Sequence, residues 1–184
     1  MRTSRKFKTS VAAIATIGLI AVPSSASAAC STDSGGFGPG SCSQTQPPAG
    51  KRAKLVNGQA VAPRSAPPRV KKAIAAANRI DHKPYRYGGG HGSFNDSAYD
   101  CSGAVSYVLH AAGLLKSPMP SGSFMNWKRP GYGKWITVFA HGGHAYAVIA
   151  GLRWDTSMTP GDGPGWSAQM RSPAGFSIRH PGGL

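Results

Sequence analysis

WITVFAHGGHAYAVIAGLRWDTS (Trp135 to Ser157) changes the rhythm of the chain. Its apolar residues come in short runs rich in β-branched and aromatic types, cut by Gly142-Gly143 and again by Gly151. That pattern reads as three consecutive strands, WITVFA, HAYAVIA and GLRWDTS, joined by tight turns. A late run, GFSIRH (Gly175 to His180), adds another strand candidate. Upstream the period is helical. In RVKKAIAAANRI, just after Pro67-Pro68, Val70, Ala73, Ile74, Ala77 and Ile80 fall on one stripe. From Cys101 onward Ala104, Val105, Val108, Leu109 and Ala112 share a face, and Gly113 is a natural C-terminal stop. Between these elements, HKPYRYGGGHGSFNDSAYD, the stretch Ser117 to Gly133, and MTPGDGPGWSAQMRSPA read as turn-rich or surface loops. Helices first and a meander of strands afterwards specify an α+β domain, helices packed on an antiparallel sheet.

The first residues set an expectation about compartment. Arg2, Arg5, Lys6 and Lys8 precede VAAIATIGLIAV (Val11 to Val22), followed by Pro23 and small residues ending in Ala26-Ser27-Ala28. Residues 1–28 therefore read as a secretory signal peptide, cleaved after Ala28. This almost wholly apolar stretch of 12 residues is too short for a membrane span, which needs about 20. Residues 29–68 are rich in Pro, Ala and basic side chains, without a sustained apolar period from Ser43 to Pro68. They read as an extended, disordered tether. Residues 69–184, about 115 in number, make a single folded domain.

Loss of the signal peptide removes four of the 21 basic residues and none of the six acidic ones, leaving a net charge of +11 and no Glu. An exported protein so basic suits an anionic polymer such as a bacterial wall, although charge also serves solubility alone. The basic residues are scattered and compose no recognition module, so nucleic acid is not an expected partner. The three cysteines leave one over. Cys30 and Cys42 bracket the flexible STDSGGFGPGS, and the economical assignment is a Cys30–Cys42 disulfide with Cys101 free. Lipid attachment at Cys30 is the alternative, against which Ser27 stands where a lipidation motif usually carries Leu.

A free thiol at a helix N-terminus has chemical potential. The partial positive charge there favours thiolate, and a neighbouring imidazole does the same. The bland alternative is a small apolar Cys101 beginning a buried stripe. Among the histidines, His110 lies nine residues on, about half a revolution out of phase, and faces away. His82 and His91 sit in the connection before Cys101, where reach is possible but not controlled. His144 opens an apolar strand and is better held than His141, across the two glycines. Asp155 lies one short strand later, where an adjacent antiparallel strand can bring it to the imidazole while Trp154 points to the opposite face. Its bland alternative is an ordinary turn residue, and His180 is the reserve for the third position. No H-E-x-x-H or paired C-x-x-C supports a metal site, and no cofactor is implied.

Taken together, KPYRYGGG, YDCSGAVSYVLHAAGLL and GGHAYAVIAG resemble the NlpC-type peptidoglycan endopeptidases, papain-like bacterial cysteine peptidases, over about Val70 to Ser157. The resemblance implies a papain-like domain with Cys101 as nucleophile, His144 as base and Asp155 as third polar residue. It also implies a cleft bordered by Tyr85, Ser102, Ser121 and Ser123, with Tyr85 and the Ser102 amide near the oxyanion. GYGKWITVFAHGG stands where such proteins usually carry a Pro-Gly-Asp segment. The implied activity is hydrolysis of stem peptides, at the D-γ-glutamyl bond to a diamino acid, by a secreted monomer that meets peptidoglycan and anionic wall polymers. An N-acetylmuramoyl-L-alanine amidase or acyltransferase using the same dyad is the alternative within enzymes. A catalytically silent basic wall-binding module is the alternative outside them.

Overall fold

Pro67 and Pro68 open the first helix as the sequence predicts, because proline at the first helical position loses no hydrogen bond and its φ is already helical. In the computed structural model, which describes residues 52–158 and 163–184, this helix is α1 (Pro68–Ile80), preceded by β1 (Lys54–Val56) and β2 (Gln59–Val61). There follow α2 (Cys101–Ala111), α3 (Ser121–Phe124), β3 (Arg129–Pro130), β4 (Ile136–His141) and β5 (His144–Ile149). The chain closes with β6 (Leu152–Asp155), β7 (Gly165–Ser167) and β8 (Ser177–His180). The signal peptide and the Cys30–Cys42 pair lie outside the described residues. No helix among the described residues is long and apolar enough to cross a membrane.

The larger sheet runs β3-β8-β4-β5-β6-β7, antiparallel at every pairing. Residues directly opposed across such a ladder share a face. Ile136, Val138 and Ala140 lie opposite Ile149, Ala147 and Ala145, and Leu152 and Trp154 continue the row on β6. All eight are buried. α2 packs on β5 and β6, and α1 packs on α2 and β5. The stripes read from the sequence are the ones used: Val70, Ala73, Ile74, Ala77 and Ile80 on α1, and Ala104, Val105, Val108 and Leu109 on α2, are all buried. The result is the expected α+β layering of helices on an antiparallel sheet. The opposite face carries Thr137, Phe139, Tyr146, Val148 and Arg153. There Phe139 and Tyr146 stack at 4.5 Å, and Phe176 meets Tyr146 edge-on at 5.2 Å.

Three expectations need correction. Residues 54–61, read as part of an extended tether, form a hairpin, so the fold reaches upstream of Arg69. Asn57 and Gly58 both take positive φ (50° and 80°), the conformation of a two-residue hairpin turn that Asn-Gly favours. Ala53, Ala60 and Ala66 are small enough to be buried against the core. Likewise the loop from Met158 contains β7, because Trp166 packs on Trp154 at 5.0 Å. The Ser117–Gly133 loop contains α3 and β3, anchored by buried Phe124 and Trp127.

Asn78 joins these unforeseen pieces. Its amide donates to the Ala60 carbonyl (2.9 Å), while its oxygen accepts from the Ala60 N–H (3.1 Å) and Trp166 Nε1 (2.8 Å). Asn78→Ala strands those three partners. The expected loss is about 2–3 kcal/mol in urea unfolding, with hydrogen exchange rising in β1, β2 and β7 ahead of the helices. Unchanged exchange in those strands would mean that the alanine contacts alone hold the hairpin.

Candidate active site

Why α2 starts at Cys101 is settled by its neighbour. Asp100 has extended backbone (φ −87°, ψ −176°) and its Oδ1 accepts the Gly103 N–H at 2.7 Å, an N-terminal cap. Its Oδ2 accepts from Gly88 N (3.0 Å), and its own N–H donates to the Gly89 carbonyl (3.1 Å). The Gly88–Gly90 turn is thereby fastened across the helix start. Asp100 therefore caps the helix. Helix geometry leaves the first amides without intrahelical acceptors, and those of Cys101 and Ser102 have none among the described residues.

Gly103 of the D-C-S-G run is required by contact. A Cβ there would stand 2.0 Å from the Gly89 carbonyl oxygen, backbone against backbone. Gly103→Ala must push the glycine turn off the helix, at an expected cost of about 3 kcal/mol. Thermal unfolding should show that loss together with altered Cys101 reactivity. A variant with wild-type stability would show that the turn yields freely.

Cys101 is a free thiol, 8% exposed, at the first position of α2. Tyr85 stands on the opposing lip, where its backbone bridges Tyr99 in parallel. Burial first, then the charges of Cys101, Asp100 and Tyr87, push its phenol pKa upward. Ser102 is buried, and its hydroxyl lies 3.2 Å from Asp100 Oδ1 and 3.1 Å from His91 Nε2.

From the sheet side comes His144, first residue of β5. Its Nε2 lies 2.8 Å from Asp155 Oδ1, leaving Nδ1 for a second partner. Burial alone would lower the imidazole pKa. Hydrogen bonds to Asp155 and to the Cys101 sulfur, with the charges of both, outweigh burial and raise it to about 9. The turn before His144 is pinned, since Ser121 Oγ donates to the Gly142 carbonyl at 3.1 Å. His141 turns aside: its Nδ1 accepts from Gly143 N, and its ring packs on Phe176 at 4.5 Å.

Asp155 has no exposed side-chain surface. Burial works to raise its pKa, but His144, Ser157 and Arg171 together hold it at about 2. Oδ1 takes His144 and the Ser157 N–H (3.1 Å); Oδ2 takes Ser157 Oγ (2.9 Å) and Arg171 Nη1 (3.2 Å). One oxygen is thus fixed by the loop after β7 while the other faces the imidazole. With Nε2 on Asp155, Nδ1 is the ring nitrogen left on the side of Cys101.

The structure brings Cys101, His144, Asp155, Tyr85, Ser102 and Ser121 into one neighbourhood. Two residues named from sequence fall elsewhere. Ser123 is exposed on α3, lining a surface depression with Leu114, Met119 and Trp127. His180 sits on β8, on the far side of β4 from β5 and β6, and its Nδ1 bonds the Gly131 carbonyl at 3.0 Å. It is therefore not the partner of His144. Two contributors escaped the sequence reading, and a third, His91, was set aside in it. Ser157 and Arg171 hold Asp155, and His91 bonds Asp100 Oδ1 at 3.0 Å beside the thiol-bearing helix start. Only Ser157 had a signal, being two residues from an acid where such hydroxyls commonly bond back.

No family model matches the chain, and no curated protein matches it. Among solved structures it is similar to the peptidoglycan hydrolase RipB from Mycobacterium tuberculosis, with 24% identity and a TM-score of 0.49. The likeness covers 61% of this chain and 64% of that one, so the chain spans less than two thirds of that neighbour's length.

Proposed function

We propose that this chain is a secreted cysteine hydrolase that cleaves amide bonds in peptidoglycan stem peptides. The observation that carries the chemistry is the imidazole of His144, bonded through Nε2 to the buried Asp155 carboxylate, with its pKa raised by that carboxylate and by the neighbouring Cys101 sulfur. The wall substrate rests on different support: the D-C-S-G and aromatic-Gly-Gly motifs resemble wall peptidases, and the expected mature charge of +11 complements an anionic polymer.

In the mechanism, Cys101 sulfur, paired with protonated His144, attacks the scissile carbonyl carbon. The oxyanion that forms accepts the free Cys101 and Ser102 amides, with the Tyr85 hydroxyl at the lip. The C–N bond then breaks, and His144 Nδ1 gives its proton to the leaving amine, leaving a thioester on Cys101. A water molecule loses a proton to His144 and attacks the thioester. The product leaves as a carboxylate, and the thiolate–imidazolium pair is restored. Asp155 keeps Nδ1 directed at sulfur throughout. The motif resemblance favours the D-γ-glutamyl bond to the diamino acid as the target. The basic start and apolar run of residues 1–28 support their role as the export signal.

Digestion of purified sacculi, followed by mass spectrometry, tests the reading. Fragments with a newly freed amine on the diamino acid are expected from the wild type and absent with Cys101→Ser. A free lactyl-linked glycan would instead indicate amidase chemistry. Identical profiles from wild type and variant would reduce the chain to a wall-binding module.

A further inference from the structure

The sheet face turned away from the helices carries a pocket that the mechanism does not use. Its floor is the stacked pair Phe139 and Tyr146, parallel to within 1°. Tyr132 stands edge-on to Phe139 at 5.9 Å. Arg52, Lys134 and Arg171 line the wall, and no acidic residue does. The cavity is about 80 Å³. A single water needs about 10–15 Å³ on this measure, so the space suits a small molecule with one ring or a short branched chain.

Charge indicates what belongs there. Arg52 and Lys134 are exposed cations at an aromatic pocket without a neighbouring carboxylate in its lining. A neutral apolar ligand would leave those cations unanswered; a cation would be repelled by the rim.

We propose that this pocket is a binding site for a small organic monoanion, an apolar body carrying one carboxylate. The carboxylate engages Arg52 and Lys134, and the body lies on the Phe139–Tyr146 floor. The pocket shares Arg171 with the candidate active site, because the same guanidinium bonds Asp155 and lies over the Tyr146 ring at 5.3 Å. Occupancy is therefore felt at Asp155 and, through it, at His144. The binding claim does not depend on the hydrolase reading.

The test uses the full chain and three probes of one size: benzoate, benzyl alcohol and benzylamine. Calorimetric titration should give saturable benzoate binding with Kd about 1 mM, at least about tenfold weaker binding of the alcohol, and none of the amine. Arg52→Ala with Lys134→Ala, both exposed positions, should weaken benzoate by about tenfold or more and leave the thermal midpoint and the alcohol affinity unchanged. Lys71→Ala, a surface cation on α1, controls for general basicity and should bind benzoate as the wild type does. Cys101→Ser should also bind normally, which separates this site from catalysis. Equal affinities for benzoate and benzyl alcohol, undiminished binding in the double variant, or an equal loss in Lys71→Ala would each overturn the proposal. So would the absence of saturation up to about 50 mM.

Discussion

Cys101→Ser is expected to lower kcat/KM on a soluble stem-peptide substrate by about 10⁴-fold or more, with the thermal midpoint almost unchanged. Serine nearly matches the size of cysteine, so the start of α2 and its Asp100 cap should survive. What is lost is a nucleophile that ionises easily. No neighbour can replace it. Ser102 is next in sequence, but its hydroxyl, Asp100 Oδ1 and His91 Nε2 all meet one another. A serine relay needs the carboxylate and the hydroxyl on different ring nitrogens, and here both sit on Nε2. The companion measurement is iodoacetamide alkylation near neutral pH. Wild-type Cys101 should react faster than a model thiol, and His144→Gln should bring it back to the model rate. Equal rates in wild type and His144→Gln would show that the imidazole does not activate the sulfur, and the hydrolase reading would fall with it.

The helical stripes and the three-strand run could be read from the sequence because each is a local pattern repeated several times. The His144–Asp155 pair was legible for a related reason: two neighbouring strands joined by one tight turn leave little freedom in where opposed side chains meet. Where the reading failed, the stabilising partner was remote. Lys54–Val61 contains an Asn-Gly turn signal, but two three-residue strands are unstable alone; they persist because Asn78 on α1 holds Ala60. Trp166 makes a strand out of a glycine-rich loop because Trp154 lies beside it. Arg171 has no periodicity to mark it, and only the path of the loop after β7 brings it to Asp155. His91 was set aside as uncontrolled, yet two polar residues at the helix cap, Asp100 and Ser102, fix it. His180 was the mirror image of that error: its strand is real, but the β8-β4 pairing carries it beyond β4, away from β5 and β6.

Asp155→Asn should lower kcat/KM by about 10²–10⁴-fold and destabilise the fold in a pH-dependent way. The amide is nearly isosteric with the carboxylate, but it cannot satisfy the same four donors. Whichever way it is turned, its NH₂ group faces either the His144 ring nitrogen or the Arg171–Ser157 pair, donor against donor. Loss of the negative charge also lets the His144 pKa fall from about 9 toward its ordinary 6.5, so the alkaline limb of the rate profile should move to lower pH. The stability difference between wild type and variant follows from the same two shifts. Asp155 is held at about 2 against 3.8, so its contribution is complete above pH 3.8 and disappears as pH falls through 2. His144 is raised, so its contribution is complete below pH 6.5 and disappears as pH rises through about 9. Both describe one interaction, of about 2–3 kcal/mol, and are not additive. Urea unfolding at pH 5 should therefore separate the two proteins by at least that amount. The gap should narrow toward pH 10, where only the bonds of Arg171 and Ser157 to the carboxylate still distinguish them. A gap independent of pH from 5 to 10 would mean that Asp155 serves Arg171 and Ser157 alone and that His144 owes it nothing.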